Sequence, residues 1–314
     1  MSVDGGGSLD VLIAGDLFVD LVMSGFPSWP PGPGEEVFAT KFCREIGGGA
    51  AITACGMARL GAKVGVAGVV GKPDGAWVIE SLQAGGVETS AIKESSEEPT
   101  AITVSVSSAT DRTFLTYMGA NRELPALLRE LSSQGEFSKA RHVHLACAPD
   151  PAEVGNVFRE VKAQGCTLSV DAGWHPDWIT DARCKEALRE VDIFLPNERE
   201  AALMTDESEP QRILEAFQEW GFATVALKLG TRGAALLACG KMMFCAPLNV
   251  ESIDSTGAGD CFDAGFLFAW LRGDDPQSCL KAATICGALS TRKLGGIAGF
   301  PTLAEFNAEL EMQR

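Results

Sequence analysis

The sequence predicts a three-layer α/β fold: helices on both faces of a mostly parallel central sheet, with a small separate β element. Three observations carry that expectation. Over residues 143–237 short apolar runs alternate with helical patterns, the signature of right-handed βαβ crossovers. Residues 101–107 and 112–118 instead alternate apolar and hydroxyl-bearing side chains across the Ala109-Thr110-Asp111 turn, the period-2 pattern of a hairpin. Finally, Asp254-Ser255-Thr256-Gly257-Ala258-Gly259-Asp260 is a small-residue turn running straight into a helix.

Composition narrows the classes. The 314 residues are 46% hydrophobic and carry a net charge of −16, enough apolar content for a large core. The charge argues against nucleic acid and anionic membrane surfaces as partners. No apolar run approaches the roughly 18 residues that suggest a membrane span. The acidic, Gly-rich first nine residues lack the cationic-then-apolar order of a signal peptide. Ten cysteines occur without a C-x-x-C pair, so reduced thiols in a cytoplasmic protein are expected. His142, His144 and His175 have no ligand-like spacing to a cysteine pair, against a structural zinc site.

In chain order, 10–15 is an apolar run ending at glycine, read as a buried strand. Residues 16–20 leave its carboxyl end, the edge where ligands collect in open α/β sheets. The Pro/Gly-rich stretch 26–34 cannot be helix, and 36–42 reads as a short strand before Gly47-Gly48-Gly49. A strand over 64–70 and a helix over 76–84 follow. Strands at 143–146, 167–170, 193–195, 224–229 and 234–237 then alternate with helices at 151–163, 181–190, 198–203 and 211–220. The whole chain, 1–314, is expected to be one domain, its small β element built from about 17–42 and 98–119.

The stretch at 254–260 carries the chemistry. Phe262, Phe266 and Trp270 recur at i, i+4 on the helix that follows. A helix start leaves backbone N–H groups unpaired and adds about half a positive charge. Gly257, Ala258 and Gly259 remove side-chain bulk so that an anion reaches those amides. Gly259 is expected to need backbone angles that a β-branched residue cannot adopt. Asp260, in the same turn, is an acceptor beside the anion hole. Such a pairing suits moving a phosphoryl group onto a hydroxyl, with Asp260, ionised near its ordinary pKa of about 4, as base.

That stretch closely resembles the C-terminal signature of the ribokinase-like, or PfkB-type, carbohydrate kinases (D-T-x-G-A-G-D-x-F). Gly47-Gly48-Gly49-Ala50-Ala51-Ile52, ending in Ala58-Arg59-Leu60-Gly61, resembles their N-terminal signature, and the likeness covers nearly the whole chain. It implies a ribokinase-like fold whose small β element is a lid over the acceptor site, and a homodimer formed through that lid. The implied activity is ATP-dependent phosphorylation of a primary hydroxyl on a sugar or sugar derivative, with Mg²⁺ and K⁺ as ions. Asp260 is then the base and the 257–260 amides the anion hole. Asp20, Gly47, Gly48, Gly49, Ile52, Arg112 and Asn121 fall on the acceptor side. Lys228, Gly230 and Gly233, in a K-x-G-x-x-G segment, fall on the nucleotide side with Asn197, Glu200 and Thr256. Glu200 is implied near water-held Mg²⁺, although Asn197 and Glu200 also fit a helix capping box. Asp254 shapes its loop and is implied beside a monovalent-cation site.

Two departures bear on the substrate. Many members carry asparagine where this chain has Ile52, and their D-x-N run is here Asp171-Ala172-Gly173. An aliphatic side chain disfavours a hydroxyl at that point, so ribose is not the expected acceptor. A phosphosugar or sulfosugar would look to Lys41, Arg44 and Arg112 for cationic partners. A nucleoside kinase and a catalytically silent sugar-binding regulator are the alternatives; the intact Asp260 argues against the silent one.

Overall fold

In the computed structural model, the structure describes residues 9–26, 30, 32–107 and 112–312, without the side chains of Ser107 and Arg112. The first strands are β1 (Leu9–Gly15), β2 (Phe18–Ser24) and β3 (Lys41–Gly47), followed by helix α1 (Gly49–Arg59). Next come β4 (Val64–Gly71), α2 (Gly75–Ala84), β5 (Glu88–Ser95), β6 (Ala101–Ser107) and β7 (Arg112–Tyr117). The middle holds α3 (Leu124–Ser133), β8 (Ala140–Ala146), α4 (Val154–Ala163), β9 (Thr167–Val170), α5 (Pro176–Thr180) and α6 (Ala182–Leu188). Then follow β10 (Ile193–Phe194), α7 (Glu198–Thr205), α8 (Pro210–Glu219), β11 (Thr224–Lys228), β12 (Ala234–Ala238) and β13 (Lys241–Cys245). Helices α9 (Ala258–Leu271), α10 (Pro276–Ser290) and α11 (Leu303–Met312) close the chain.

The central sheet has nine strands in the order β13-β12-β11-β10-β9-β8-β1-β4-β5. Every pair from β11 to β5 is parallel, and only β12 runs against its neighbours. Successive strand residues point to opposite faces, so Val11 and Ile13 join one apolar cluster while Leu12 and Ala14 join the other. The first cluster packs against α1, α2, α9, α10 and α11, and the second against α3 to α8. These are the three predicted layers. Because the strands are parallel, Asp16, Asp171, Asn197 and Lys228 all emerge at their carboxyl ends.

A second sheet, in the order β3-β2-β6-β7, forms the lid element. Its third strand was expected at 36–42, but pairing with β2 runs from Ser24↔Lys41 to Phe18↔Gly47. The strand therefore continues into the glycine run, and the lid reaches beyond residue 42. The Ala109-Thr110-Asp111 turn lies outside the described residues. Strands β5 and β13 and helices α3, α5, α10 and α11 carry no expectation from the sequence. Of these, α3 does carry a helical period, burying Leu124, Leu127, Leu128 and Leu131, whereas β5 (Glu88–Ser95) mixes charged, small and apolar residues without strict alternation.

All ten cysteines are free. His142 and His144 are fully buried, bonded through Thr167 and Ser169, and burial pushes His144 down to about 4. They are neutral core groups. Among the described residues no helix is long and apolar enough to cross a membrane.

Candidate active site

The turn into α9 is built around Gly257, which caps the helix at φ +67°, a left-handed angle that favours glycine. A Cβ there would lie 2.8 Å from Ile52 Cδ1 and 3.0 Å from Gly296 Cα. Gly259 is different. It is helical, and a Cβ would meet only Lys228, at 3.7 Å, an ordinary contact. The backbone constraint expected at Gly259 thus belongs to Gly257, because the helix begins between them. The amide of Ala258 already donates to Ser255 O at 3.3 Å; no backbone carbonyl among the described residues takes those of Gly259 and Asp260. The Asp254 carboxylate holds the turn from beneath, accepting from Thr256 N (2.9 Å), Thr256 Oγ1 (2.8 Å) and Gly295 N (2.9 Å). The Thr256 hydroxyl, expected on the nucleotide side, donates to that carboxylate.

Asp260 stands in the first turn of α9, its Oδ1 3.1 Å from where a Gly49 Cβ would fall. Burial, reinforced by the charge of Asp171 and opposed by Lys228, pushes its pKa up to about 7. That corrects the expectation of an ordinary carboxylate: the group titrates near neutral pH. Three residues on, one helical turn away, Asp263 is fully buried. Lys228, 11% exposed, donates to Asp171 Oδ2 at 2.6 Å and to Asp263 Oδ2 at 2.9 Å. Burial opposes charge on Asp171, yet Lys228 prevails and holds it down at about 2. Burial and Asp171 push Asp263 upward. Carboxylate oxygens of Asp171, Asp260 and Asp263 lie within 4.8 Å of one another, with the Lys228 ammonium between two of them. The part played by Asp171 and Asp263 escaped sequence reading, although the i, i+3 spacing of Asp260 and Asp263 was a signal.

A cavity of about 580 Å³ opens beside the turn, lined by Lys228, Gly230, Gly233, Val250, Gly259 and Phe262 among others. Gly230 and Gly233 have positive φ, and a Cβ on Gly233 would collide with Cys245 O. Asn197 and Glu200 form a complete capping box at α7: Asn197 Oδ1 accepts from Glu200 N (3.0 Å) and Glu200 Oε2 from Asn197 N (2.8 Å). Burial and the charge of Asp171 push Glu200 up to about 7.

On the other side of Asp260 lie the glycine run and the lid. Gly47 ends β3, Gly48 caps α1 at φ +94°, and Gly49 opens that helix. The Asp20 carboxylate lies against the Cα of Gly47, where any side chain would collide with it. Burial and the charges of Asp260, Glu45 and Asp254 push Asp20 up to about 7. Ile52, only 3% exposed, fills the gap between Gly257 and Gly296, backing the anion cradle. Asn121 needs correction as an acceptor group: its Oδ1 accepts from Leu17 N (3.1 Å) and its Nδ2 donates to Leu17 O (3.2 Å), bracing the strand entry. Arg44 turns away, paired with Asp74 and stacked 3.9 Å above Trp77. Lys41 is exposed, and the side chain of Arg112 lies outside the described residues.

Residues 15–303 match the model of the pfkB family carbohydrate kinases. The chain is 30% identical over 256 residues to an ATP-dependent ribose-1-phosphate kinase of Halopiger xanaduensis, covering 80% of this chain and 82% of that one. It is 27% identical over 289 residues to a 2-dehydro-3-deoxygluconokinase of Bacillus subtilis, covering 88% and 89%. The solved Arabidopsis thaliana ribokinase, complexed with ribose and ATP, shares the fold at TM-score 0.80 and 24% identity over 96% of this chain and 99% of that one. Because that family match spans nearly the whole chain and agrees with the fold, the chain belongs to the pfkB family of carbohydrate kinases.

Proposed function

We propose that the protein transfers the γ-phosphoryl group of ATP to a primary hydroxyl of a sugar or sugar derivative, with Asp260 as the base. The observation that carries this reading is Asp260 itself: a half-buried carboxylate, one residue from the open amide of Gly259, between the 580 Å³ cavity and the lid. The hydroxyl oxygen attacks the γ-phosphorus and forms the new O–P bond. The bond to the bridging oxygen breaks, its electron pair leaving with ADP, and the hydroxyl proton passes to Asp260. The amides of Gly259 and Asp260, at the positive end of α9, stabilise the charge on the transferring group. Lys228, 3.7 Å from a Gly259 Cβ position, adds a fixed positive charge beside that space.

ATP fits the cavity lined by Gly230, Gly233 and Phe262, which combines close backbone approach with an apolar wall. Direct ligation of Mg²⁺ by Asp171, Asp260 and Asp263 competes with the Lys228 ammonium, and both Glu200 oxygens are engaged by Asn197. The residues fit an ion held through water near Glu200 and Asp171, as suits a cation that dehydrates reluctantly. When bound, Mg²⁺ offsets the phosphate charge. Asp254, buried in the 254–256 turn, is the residue we assign beside a monovalent cation. The lid exposes Phe42, Leu115 and Tyr117, which supports a homodimer through this sheet, and the free thiols agree with a cytoplasmic setting. The test is ADP release with a panel of sugars, sugar acids and nucleosides, against ATP alone. Acceptor-dependent ADP release supports the reading, and its absence across the panel from a folded, ATP-binding protein overturns it.

A further inference from the structure

Lys228 reaches across the sheet and is held from two sides. It ends β11, Asp171 follows β9, and β10 lies between those strands, a span of about 10 Å at ordinary strand spacing. Its ammonium donates to Asp171 Oδ2 at 2.6 Å and to Asp263 Oδ2 at 2.9 Å, with Asp263 Oδ1 2.7 Å away but out of bonding line. Asp263 belongs to neither strand. It stands on α9, one helical turn beyond Asp260, and its side chain is fully buried. A single carboxylate would leave the long lysine chain much of its rotamer freedom; two, from different elements, fix where the charge sits.

An ammonium has three N–H donors. Two are taken by the carboxylates, and among the described residues no hydrogen bond takes the third. Nζ also lies 3.7 Å from the Cβ position of Gly259, and Lys228 lines the 580 Å³ cavity. The remaining N–H is thereby left for an acceptor in that cavity, next to the open amide of Gly259. Asp260 is the competing partner. One of its carboxylate oxygens lies within 4.8 Å of those of Asp171 and Asp263, so an ammonium released from either would have the base in reach. Stability alone does not call for a buried carboxyl on α9, because a well-packed apolar residue in place of a buried ion-pair partner group is often no worse.

Resting on the kinase reading above, we propose that Asp263 is a positioning residue. With Asp171 it aims the free N–H of Lys228 at the terminal phosphate of the nucleotide and keeps the ammonium off Asp260. Leucine at this position leaves Lys228 tethered at one point, whereas asparagine fills the same space and still accepts from it.

The experiment compares the full-length wild type with Asp263→Leu, Asp263→Asn, Lys228→Met and the double variant Lys228→Met with Asp263→Leu. The readings are Tm, kcat, and Kd for a non-hydrolysable ATP analogue and for ADP. Asp263→Leu should fold, lower kcat about ten- to a hundredfold, and cut the ratio of analogue to ADP affinity about three- to tenfold. KM for the acceptor should stay within about twofold, since the residue acts on the phosphate side. Asp263→Asn should return kcat and the affinity ratio to within about threefold of wild type, as expected where one acceptor suffices. With Lys228 already replaced, adding Asp263→Leu should change neither reading further. A merely structural residue would move Tm and leave the ratio, as Leu267→Ala, on the same helix but in the apolar cluster, should do. Unchanged kcat and ratio in folded Asp263→Leu overturn the proposal, and so does a loss that adds to that of Lys228→Met. Should Asp263→Leu not fold, Asp263→Ala, too short to reach Lys228, takes its place; if neither folds, the carboxyl is structural and the proposal falls. A wild type that binds the analogue but phosphorylates no acceptor overturns the kinase reading, while the affinity ratio still decides the proposal. One that binds no nucleotide overturns both.

Discussion

At the scale of the residue, the proposed chemistry turns on where Asp260 titrates. A base must be ionised, and burial pushes this carboxyl up to about 7; kcat/KM is therefore expected to rise with pH through about 7 and to level above it, read from a pH–rate profile. Asp260→Asn should lower kcat on the order of 10²- to 10⁴-fold and leave ATP-analogue binding nearly intact; retention of a tenth of wild-type kcat would exclude the role. The same shift makes a stability prediction. A carboxyl with a raised folded-state pKa favours folding fully below its unfolded value, and that contribution is lost as pH rises to the folded value. Asparagine has no such term. The Tm of Asp260→Asn should gain on wild type between about pH 4 and 7 and keep a constant lead above, as melting at pH 5 and 8 will check. Ile52 belongs at this scale too. Because it is packed between Gly257 and Gly296, Ile52→Asn places an amide where no partner stands, at a cost of about 1–3 kcal/mol. Denaturant unfolding should show that loss, together with reduced transfer on every acceptor; a gain confined to ribose would restore Ile52 to the acceptor surface.

At the scale of the element, the glycines of the α9 entry divide by backbone angle. Gly257→Ala must hold a left-handed angle and press a methyl group to within 2.8 Å of Ile52, so both Tm and turnover should fall. Gly259→Val meets neither obstacle. It should fold with Tm close to wild type, yet crowd the amide and cavity beside Lys228, raising KM for ATP or lowering kcat at least about tenfold. Full turnover in folded Gly259→Val would show that the phosphoryl group sits elsewhere. The helix itself is held by Phe262 and Phe266, both buried in the face that joins α1 and α10, which keeps the turn fixed against the glycine run of α1.

At the scale of the whole molecule, the proposed cleft lies between the carboxyl edge of the nine-stranded sheet, where α9 begins, and the four-stranded sheet. Phe42, 62% exposed, and Leu115 and Tyr117 stand on the lid face away from Asp20. If two copies join there, Phe42→Glu with Leu115→Glu should convert dimer to monomer in analytical ultracentrifugation; a wild type that sediments as a monomer at assay concentration would remove the dimer. The sequence by itself determined the layered α/β class, the extra β element, the glycine-framed helix start and the family. Each of these is written in local periodicity or in contiguous motifs, which the chain carries wherever it folds. Tertiary structure alone decided the rest: that Asp171 and Asp263 close on Lys228, that Asn121 braces Leu17 and Arg44 faces Trp77, that Ile52 backs the cradle, and that Glu45 meets Asp20. Those outcomes depend on which strands become neighbours and in what register, and on burial, which moves Asp260 from an ordinary carboxylate to one poised near neutrality. Neither strand register nor burial depth is a property of a single stretch of sequence, because each is set by groups tens to hundreds of residues away.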